Sequence, residues 1–473
     1  MFLDRIISQT RIDLEQRKRE IPLEDVKRLA AAQPAPRDLR QALSVGSNIR
    51  LIAEVKRASP SKGLLAPDLD PVALARTYEA NGAAAISVLT EPHFFLGSPA
   101  YLAAIKQAVN IPALRKDFIF DEYQVYEARS WGADAILLIC AILDDTQLRH
   151  LLKIAQGLDM QCLVEVHSVE QTLRAVAAGA GIIGVNSRDL ATFQLHPNLI
   201  RELSRLIPED RVIVAESGIH TAADARRLAR YDVQAMLVGE SLVTSSDIPG
   251  QIRMLLQGAN EDVQVKICGL RAPHHLQTAI EAGADMIGLM FYEPSPRYIE
   301  PRQARELLNT IENQPAAPDV VGVFVNKEAD CVHDIVEQVG LDFVQLHGSE
   351  IPEFCWQIKR PVIKGLRLHS RDDLGLISAY REATWRILLD TPSSHWGGSG
   401  LTHNWTLACE IARKMPVLLA GGLTPENVGK AISQVRPWGV DVSSGVETSG
   451  KKDDSKIRAF IQQARSAVTR EER

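Results

Sequence analysis

Trp131-Gly-Ala-Asp-Ala-Ile-Leu-Leu-Ile139 is the stretch on which the reading of the fold turns, because its form keeps returning. It recurs as Asn81-Gly-Ala-Ala-Ala-Ile-Ser-Val-Leu89, Ala178-Gly-Ala-Gly-Ile-Ile-Gly-Val185 and Ala282-Gly-Ala-Asp-Met-Ile-Gly-Leu-Met290. Each copy follows a helix-like stretch rich in Ala, Glu and Arg. The glycine suits the left-handed residue that ends a helix, and the short apolar run suits a strand buried on both faces. The phrase is the helix-to-strand join of a parallel sheet, repeated.

Outward from these copies, eight strands are expected before residue 245, near 51–56, 84–89, 111–116, 135–140, 162–166, 182–186, 212–216 and 236–239. Eight more are expected near 263–268, 286–291, 320–325, 343–347, 361–366, 386–390, 416–420 and 438–443. Helical patterns such as Pro71–Asn81 and Ser168–Ala178 separate them. Eight strands per half predict an α/β chain of two consecutive (β/α)8 TIM barrels, with one doubly wound sheet as the rival. Gly-Ala-Asn-Glu-Asp breaks a helical pattern between Gln257 and Asp262, which places one domain at 1–257 and the other at 263–473. Residues 1–45 read as an N-terminal helical extension of the first barrel, with Leu3, Ile6, Ile7 and Leu14 as its apolar stripe.

The chain has 473 residues, 45% hydrophobic and 24% charged, enough to bury large cores, so disorder as a class is excluded. Its net charge is −6 without a long run of either sign, so neither nucleic acid nor a membrane surface is an expected partner. The apolar run Ala135–Leu143 is too short to cross a bilayer, and the charges of Arg17–Glu20 argue against a secretory signal. Cysteines 140, 162, 268, 331, 355 and 409 form no CxxC pair, which fits reduced thiols and a cytoplasmic location.

In a barrel of this kind, catalytic groups gather where the strands end. Alternation along Leu51-Ile-Ala-Glu-Val-Lys56 puts Glu54 and Lys56 on the side of Ile52, opposite Leu51, Ala53 and Val55. Lys116 ends the third strand, Glu165 lies in the fifth, Asn186 ends the sixth and Glu216 the seventh. Any one of them reads equally well as half of a structural ion pair. Buried charges cost several kcal/mol each unless paired, so their gathering on one rim predicts a catalytic site. Ser217-Gly218 and Gly239-Glu240-Ser241 follow the last two strands, where backbone amides and a helix N-terminus predict a phosphate cradle.

In the second half, Cys268 ends the first strand and by itself reads as a small core residue. Asp390, closing Arg386-Ile-Leu-Leu-Asp, is more telling. Thr391 to Asn404, with Gly397-Gly-Ser-Gly400, reads as a flexible loop over the rim. Gly421-Gly422 and Ser443-Ser444-Gly445 again follow strands seven and eight and predict a second phosphate site. Gly445-Val-Glu-Thr-Ser-Gly450-Lys451-Lys452 nearly matches a nucleotide P-loop. Lys452 stands where Ser or Thr would hold magnesium, which excludes ATP and GTP. Neither half shows a Cys/His/Asp cluster with metal spacing, so no metal and no other cofactor is expected.

Five motifs of the first half carry a family resemblance. Glu54-Val-Lys56-Arg-Ala-Ser59-Pro-Ser-Lys-Gly, Arg115-Lys116-Asp-Phe, Leu163-Val-Glu165-Val, Gly184-Val-Asn186-Ser-Arg188-Asp-Leu and Ala215-Glu216-Ser217-Gly218-Ile resemble indole-3-glycerol-phosphate synthase. Lys266-Ile-Cys268-Gly-Leu-Arg, Ser295-Pro-Arg297-Tyr-Ile, Val321-Gly-Val-Phe-Val-Asn, Val344-Gln-Leu-His347-Gly, Leu389-Asp390, Gly397-Gly398-Ser-Gly400, Ala420-Gly421-Gly422-Leu and Asp441-Val-Ser443-Ser444-Gly-Val-Glu447 resemble phosphoribosylanthranilate isomerase.

The resemblance implies that the second half rearranges an aminoribose phosphate to an aminoketose. The first half would then close that product to an indole with loss of carbon dioxide and water. It also implies small phosphorylated anthranilate derivatives as ligands; a monomer is expected. Lys116 and Glu165 would lead the acid–base work, with Glu54 and Lys56 sharing it and Asn186 orienting substrate. Ser59, Arg188, Glu216, Ser217, Gly218 and Gly239 would contact substrate, with Glu240 contributing only its backbone because its carboxylate would repel phosphate. In the second half Asp390 is the implied acid and Cys268 the base, its thiol pKa lowered by a strand-end amide environment or by Lys266. Arg297 would pair with the anthranilate carboxylate, and His347, Gly398, Gly400, Gly421, Gly422, Ser443 and Ser444 would contact substrate. Two rivals stand beside this reading: a pair of phosphosugar isomerases as in histidine biosynthesis, against which Glu54, Lys116 and Glu165 argue, and a phosphoribosyl-ligand sensor with one decayed barrel, against which the complete motifs argue.

Overall fold

The computed structural model describes residues 2–468 except 47, 191, 197, 261, 312–316, 368–373 and 391–404. The chain divides into two compact units, Met1–Glu261 and Asp262–Arg473. In the first, strands β1 (Arg50–Val55), β2 (Ala85–Leu89), β3 (Ala113–Lys116), β4 (Ala135–Ile139), β5 (Gln161–Val166), β6 (Ile182–Asn186), β7 (Val212–Glu216) and β8 (Ala235–Val238) form a closed parallel barrel. Closure is direct: β1 pairs with β2 through Ile52 opposite Ala85 and with β8 through Arg50 opposite Ala235.

The second unit repeats the plan with β9 (Gln264–Cys268), β10 (Met286–Met290), β11 (Asp319–Phe324), β12 (Phe343–Leu346), β13 (Val362–Arg367), β14 (Arg386–Asp390), β15 (Val417–Leu419) and β16 (Gly439–Val442). Each unit is thus one (β/α)8 barrel, and the doubly wound alternative is excluded by closure.

The recurring phrase does what its composition dictates. Gly82, Gly132, Gly179 and Gly283 sit at φ of 98°, 89°, 84° and 88°, a region that costs other residues strain. Aspartates at this helix-to-strand step, Asp134 and Asp285 within the phrase and Asp342 after Gly340, bind the start of the preceding strand. Asp134 Oδ2 accepts from Ala113 N at 2.8 Å, Asp285 Oδ2 from Val265 N at 2.8 Å, and Asp342 Oδ2 from Val320 N at 2.9 Å.

Period-two alternation splits the apolar residues of β1 into two layers. Leu51, Ala53 and Val55 pack outward under the helices, while Ile52 joins Leu114, Leu137, Leu163 and Ile182 inside the barrel. Ahead of β1 stand α1 (Phe2–Glu20), α2 (Leu23–Ala31) and α3 (Leu39–Ser44). The stripe on α1 is buried through Ile6, Thr10 and Leu14, and Phe2 meets Phe94 and Phe193 edge to face at 5.4 and 5.2 Å. The extension is therefore packed onto the barrel.

Candidate active sites

The C-terminal mouth of the first barrel holds a cleft of about 1010 Å³, its opening included. Glu54, Lys56, Ser59, Lys116, Glu165 and Asn186 line it, as do Arg188, Glu216, Ser217, Gly218, Gly239 and Glu240. At its centre Lys116 Nζ donates to Glu165 Oε2 at 2.8 Å and to Glu216 Oε2 at 2.6 Å. Lys56 Nζ pairs with Glu54 Oε1 at 2.8 Å, so that cation is already partnered by a side chain of its own strand. Two glycines supply the volume these acids need. A Cβ on Gly184 would overlap the Glu216 carboxylate, and one on Gly239 would press against that of Glu54.

Three buried acids around one ammonium cannot all behave alike. Burial opposes the charge on Lys116, yet Glu165, Glu216 and Glu54 outweigh it and hold the ammonium above its ordinary range. Burial would also raise Glu165, but Lys116 and His167 overcome it and keep that carboxylate ionised. On Glu216 burial prevails, aided by repulsion from Glu165 and Glu54, and its carboxyl is pushed up to about 7. Near neutrality the site therefore holds a fixed ammonium, an ionised Glu165 and a titrating Glu216.

The phosphate side also departs in detail from the sequence reading. Ser217 and Gly218 take φ of 66° and 74° in succession, turning their backbone toward the cleft. Glu240 does more than offer its backbone. Its carboxylate takes Lys62 Nζ at 2.5 Å and lies 3.8 Å from Arg188 Nη2, so the feared repulsion is neutralised. Asn186 spends its Oδ1 on the Arg188 backbone N–H at 3.0 Å.

His167, Nε2 3.3 Å from Glu165 Oε1, went unnoticed in the sequence, although it lies two residues beyond Glu165 and so on the same side. The aromatic wall of Phe95, Phe118 and Phe193 also went unnoticed, because loop phenylalanines carry no periodic signal.

The second mouth is a cleft of about 710 Å³ lined by Cys268, Arg297, His347 and Asp390, with Gly421, Gly422, Ser443 and Ser444, the residues expected to hold phosphate, also lining it. Gly398 and Gly400, with the rest of the expected rim loop, lie outside the described residues. Gly421 and Gly422 repeat the paired positive φ, at 82° and 64°. Gln345 Nε2 lies 2.9 Å from His347 Nδ1; with Gln345 donating, His347 Nε2 carries the proton and points at Asp390 Oδ2, 3.1 Å away.

One expectation is corrected here and a second is refined. Burial pushes the Cys268 thiol up, not down. Lys266 works against that rise, but its Nζ is drawn to Asp441 Oδ1 at 2.8 Å, and the Asp441 charge adds to it. Arg297 faces the cleft, but two of its nitrogens are already engaged, Nε with Glu447 Oε1 at 2.7 Å and Nη2 with Oε2 at 2.8 Å. A third difference concerns metals. His274, His275 and Asp454 bring ligand atoms within 4.8 Å of one another, a cluster invisible in linear spacing. Lys452 and the first turns of two helices place positive charge beside it, which disfavours a cation.

Residues 3–255 match the family described as indole-3-glycerol phosphate synthase, and residues 265–463 match N-(5'phosphoribosyl)anthranilate (PRA) isomerase. A multifunctional tryptophan biosynthesis protein of Phycomyces blakesleeanus is 37% identical over 98% of this chain and 69% of its own length. The tryptophan biosynthesis protein TrpCF of Yersinia pestis is 37% identical over 91% of this chain and 87% of its own. This chain thus spans about two thirds of the fungal relative and most of the bacterial one. Among solved structures, the phosphoribosyl anthranilate isomerase of Thermotoga maritima is 43% identical over 43% of this chain and 99% of its own, with a TM-score of 0.40.

Proposed function

This chain belongs to the indole-3-glycerol phosphate synthase family in its first unit and to the PRA isomerase family in its second, and from that membership we propose how each mouth does its chemistry. It is a bifunctional enzyme of tryptophan biosynthesis. The second unit isomerises N-(5-phosphoribosyl)anthranilate to the carboxyphenylamino-deoxyribulose phosphate, and the first closes that product to indole-3-glycerol phosphate. Its ligands are small phosphorylated anthranilate derivatives.

In the first mouth the turns after β7 and β8 hold the substrate phosphate and the phenylalanine wall takes the aromatic ring. Lys116 polarises the ketone so that the carboxylate-bearing ring carbon attacks it; that carbon then releases its carboxylate as carbon dioxide, the electron pair returns to the benzene ring, and the former ketone oxygen is left as a hydroxyl. Held as a firm ammonium, it acts chiefly as charge and hydrogen-bond donor. Glu216, nearest neutrality, resupplies a proton when the hydroxyl departs in the dehydration. Glu165, kept ionised, accepts the proton that restores aromaticity. Glu54 and Lys56 hold one another and add field at the same point.

In the second mouth Asp390, backed by His347, protonates the furanose oxygen. Ring opening leaves a positively charged imine, which acidifies the neighbouring C–H. The Cys268 thiol, neutral at rest, must first lose its proton to water; its thiolate, favoured by Lys266 and by the positive charge of the imine, then takes the proton from that carbon.

The observation that carries this reading is the bridging of Glu165 and Glu216 by Lys116 Nζ inside a mouth that also holds the anion-binding turns. Two assays on one full-length chain test it. Glu165→Gln and Lys116→Ala should abolish ring closure and spare isomerisation, while Cys268→Ala and Asp390→Asn should do the reverse. One substitution that silenced both activities in a folded protein would overturn the division.

A further inference from the structure

Glu447 follows the phosphate-side loop of the second barrel and begins a two-stranded hairpin, pairing with Lys452 while Thr448 pairs with Lys451. The tip residues Ser449 and Gly450 take φ of 53° and 75°, which brings Lys452 back beside Glu447. The Glu447 carboxylate is 8% exposed and is not among the described residues lining the cleft. Two chemical connections nonetheless run from it toward the substrate, the second in several links. Arg297 is gripped at two nitrogens. Lys452 Nζ is bound at 2.9 Å and reaches on to the Ser443 carbonyl at 2.8 Å. Ser443 Oγ in turn donates to the carbonyl of Cys268 at 3.3 Å.

The pocket in which this happens leaves little room for alternatives. A Cβ on Gly269 would stand 2.6 Å from Arg297 Cδ, so the arginine stem runs tight against the backbone just after Cys268. Lys456 Nζ holds the Glu447 backbone carbonyl at 2.7 Å, fixing the hairpin from behind. One carboxylate between two cations leaves a surplus of one positive charge. That surplus faces a cleft whose proposed substrate carries a carboxylate at one end and a phosphate at the other. Burial opposes the Glu447 charge, but Arg297 and Lys452 hold the carboxyl down to about 2, so it is ionised at every working pH.

We propose that Glu447 is the positioning residue of the isomerase mouth, presenting Arg297 to the anthranilate carboxylate and, through Lys452, holding the Ser443 loop at the phosphate. It touches neither group. A two-point grip leaves Arg297 the two hydrogens of Nη1 and one of Nη2 for the ligand, in a single orientation, so its side-chain entropy is lost before substrate arrives. Without the carboxylate, two buried cations repel each other and Arg297 leaves its place. This inference rests on the isomerase reading and deepens it.

The test uses the full chain and two ligands, the reduced carboxyphenylamino-deoxyribulose phosphate and its phenylamino counterpart lacking the carboxylate. The wild type should prefer the carboxylated ligand. Glu447→Gln should cut that preference about tenfold, or ~1.4 kcal/mol, while the phenylamino ligand weakens no further than it does in Lys452→Met. KM should rise with it more than kcat falls, and Glu447→Asp, which keeps the charge, should restore most of the preference. Lys452→Met should weaken both ligands alike and keep the preference, which remains readable if Glu447→Gln does not fold. Equal weakening of both ligands by Glu447→Gln, or lost preference in Lys452→Met, would overturn the assignment. A wild type without isomerase turnover would instead sink the functional reading beneath it.

Discussion

At the scale of single residues, the synthase mouth shows how neighbours rather than residue type set a role. Glu165 and Glu216 are the same acid, both buried and both touching Lys116, yet one is held ionised and the other titrates near 7. His167 lies 3.3 Å from Glu165 and helps to hold it ionised, while Glu54 and Glu165 both press on Glu216. Ring closure should therefore follow a group with pKa about 7, visible as a bend in its pH–rate profile that Glu216→Gln removes along with most activity. Stability carries the same signature. A carboxyl raised above its unfolded value stabilises the fold fully below about pH 4.5, and that contribution is lost as pH rises through about 7. The thermal midpoint of the first unit should fall across that window, and Glu216→Gln should flatten the slope.

At the scale of elements, the aspartates that precede strands act as fasteners between neighbours. Asp134 is fully buried, accepts from Ala113 N and Arg37 N and pairs with Lys106, so it joins the starts of β3 and β4 to the segment before α3. Asp134→Ala leaves Lys106 and two amides without that acceptor and should cost the first unit about 3–5 kcal/mol, measured by chemical denaturation. Helix α1 is held differently, by apolar burial at Leu14 and by Arg17 on Glu127 at 2.7 Å. Leu14→Ala should cost about 2–4 kcal/mol and lower ring closure without touching isomerisation. The glycine of the repeated phrase announced each join, because only a left-handed residue closes those helices cheaply. Its aspartate announced nothing, since its partners lie on another strand.

At the scale of the whole molecule, each barrel closes on itself and owns its core, one cluster around Leu51, Val88 and Ile136, the other around Val265, Ile287 and Ile387. Calorimetry of the intact chain should resolve two transitions, of which Asp134→Ala moves only one. A single merged transition displaced by that substitution would contradict separate cores.

The strand count, the closed barrels and the order of site residues were legible because they depend on local patterning: period-two alternation, helix-ending glycines and charges at strand ends. Lys116, Glu165 and Asp390 stand out as candidates for that reason, whereas Cys268 is singled out only by the family resemblance. What those groups are electrically was decided only by the tertiary structure. The Cys268 thiol rises because burial outweighs Lys266, which Asp441 draws away from across a separation of 175 residues. Arg297 points where it does because Glu447, 150 residues on, grips it. Charge state and aim follow from desolvation and from partners brought together by closure of the barrel, quantities that no linear neighbour carries.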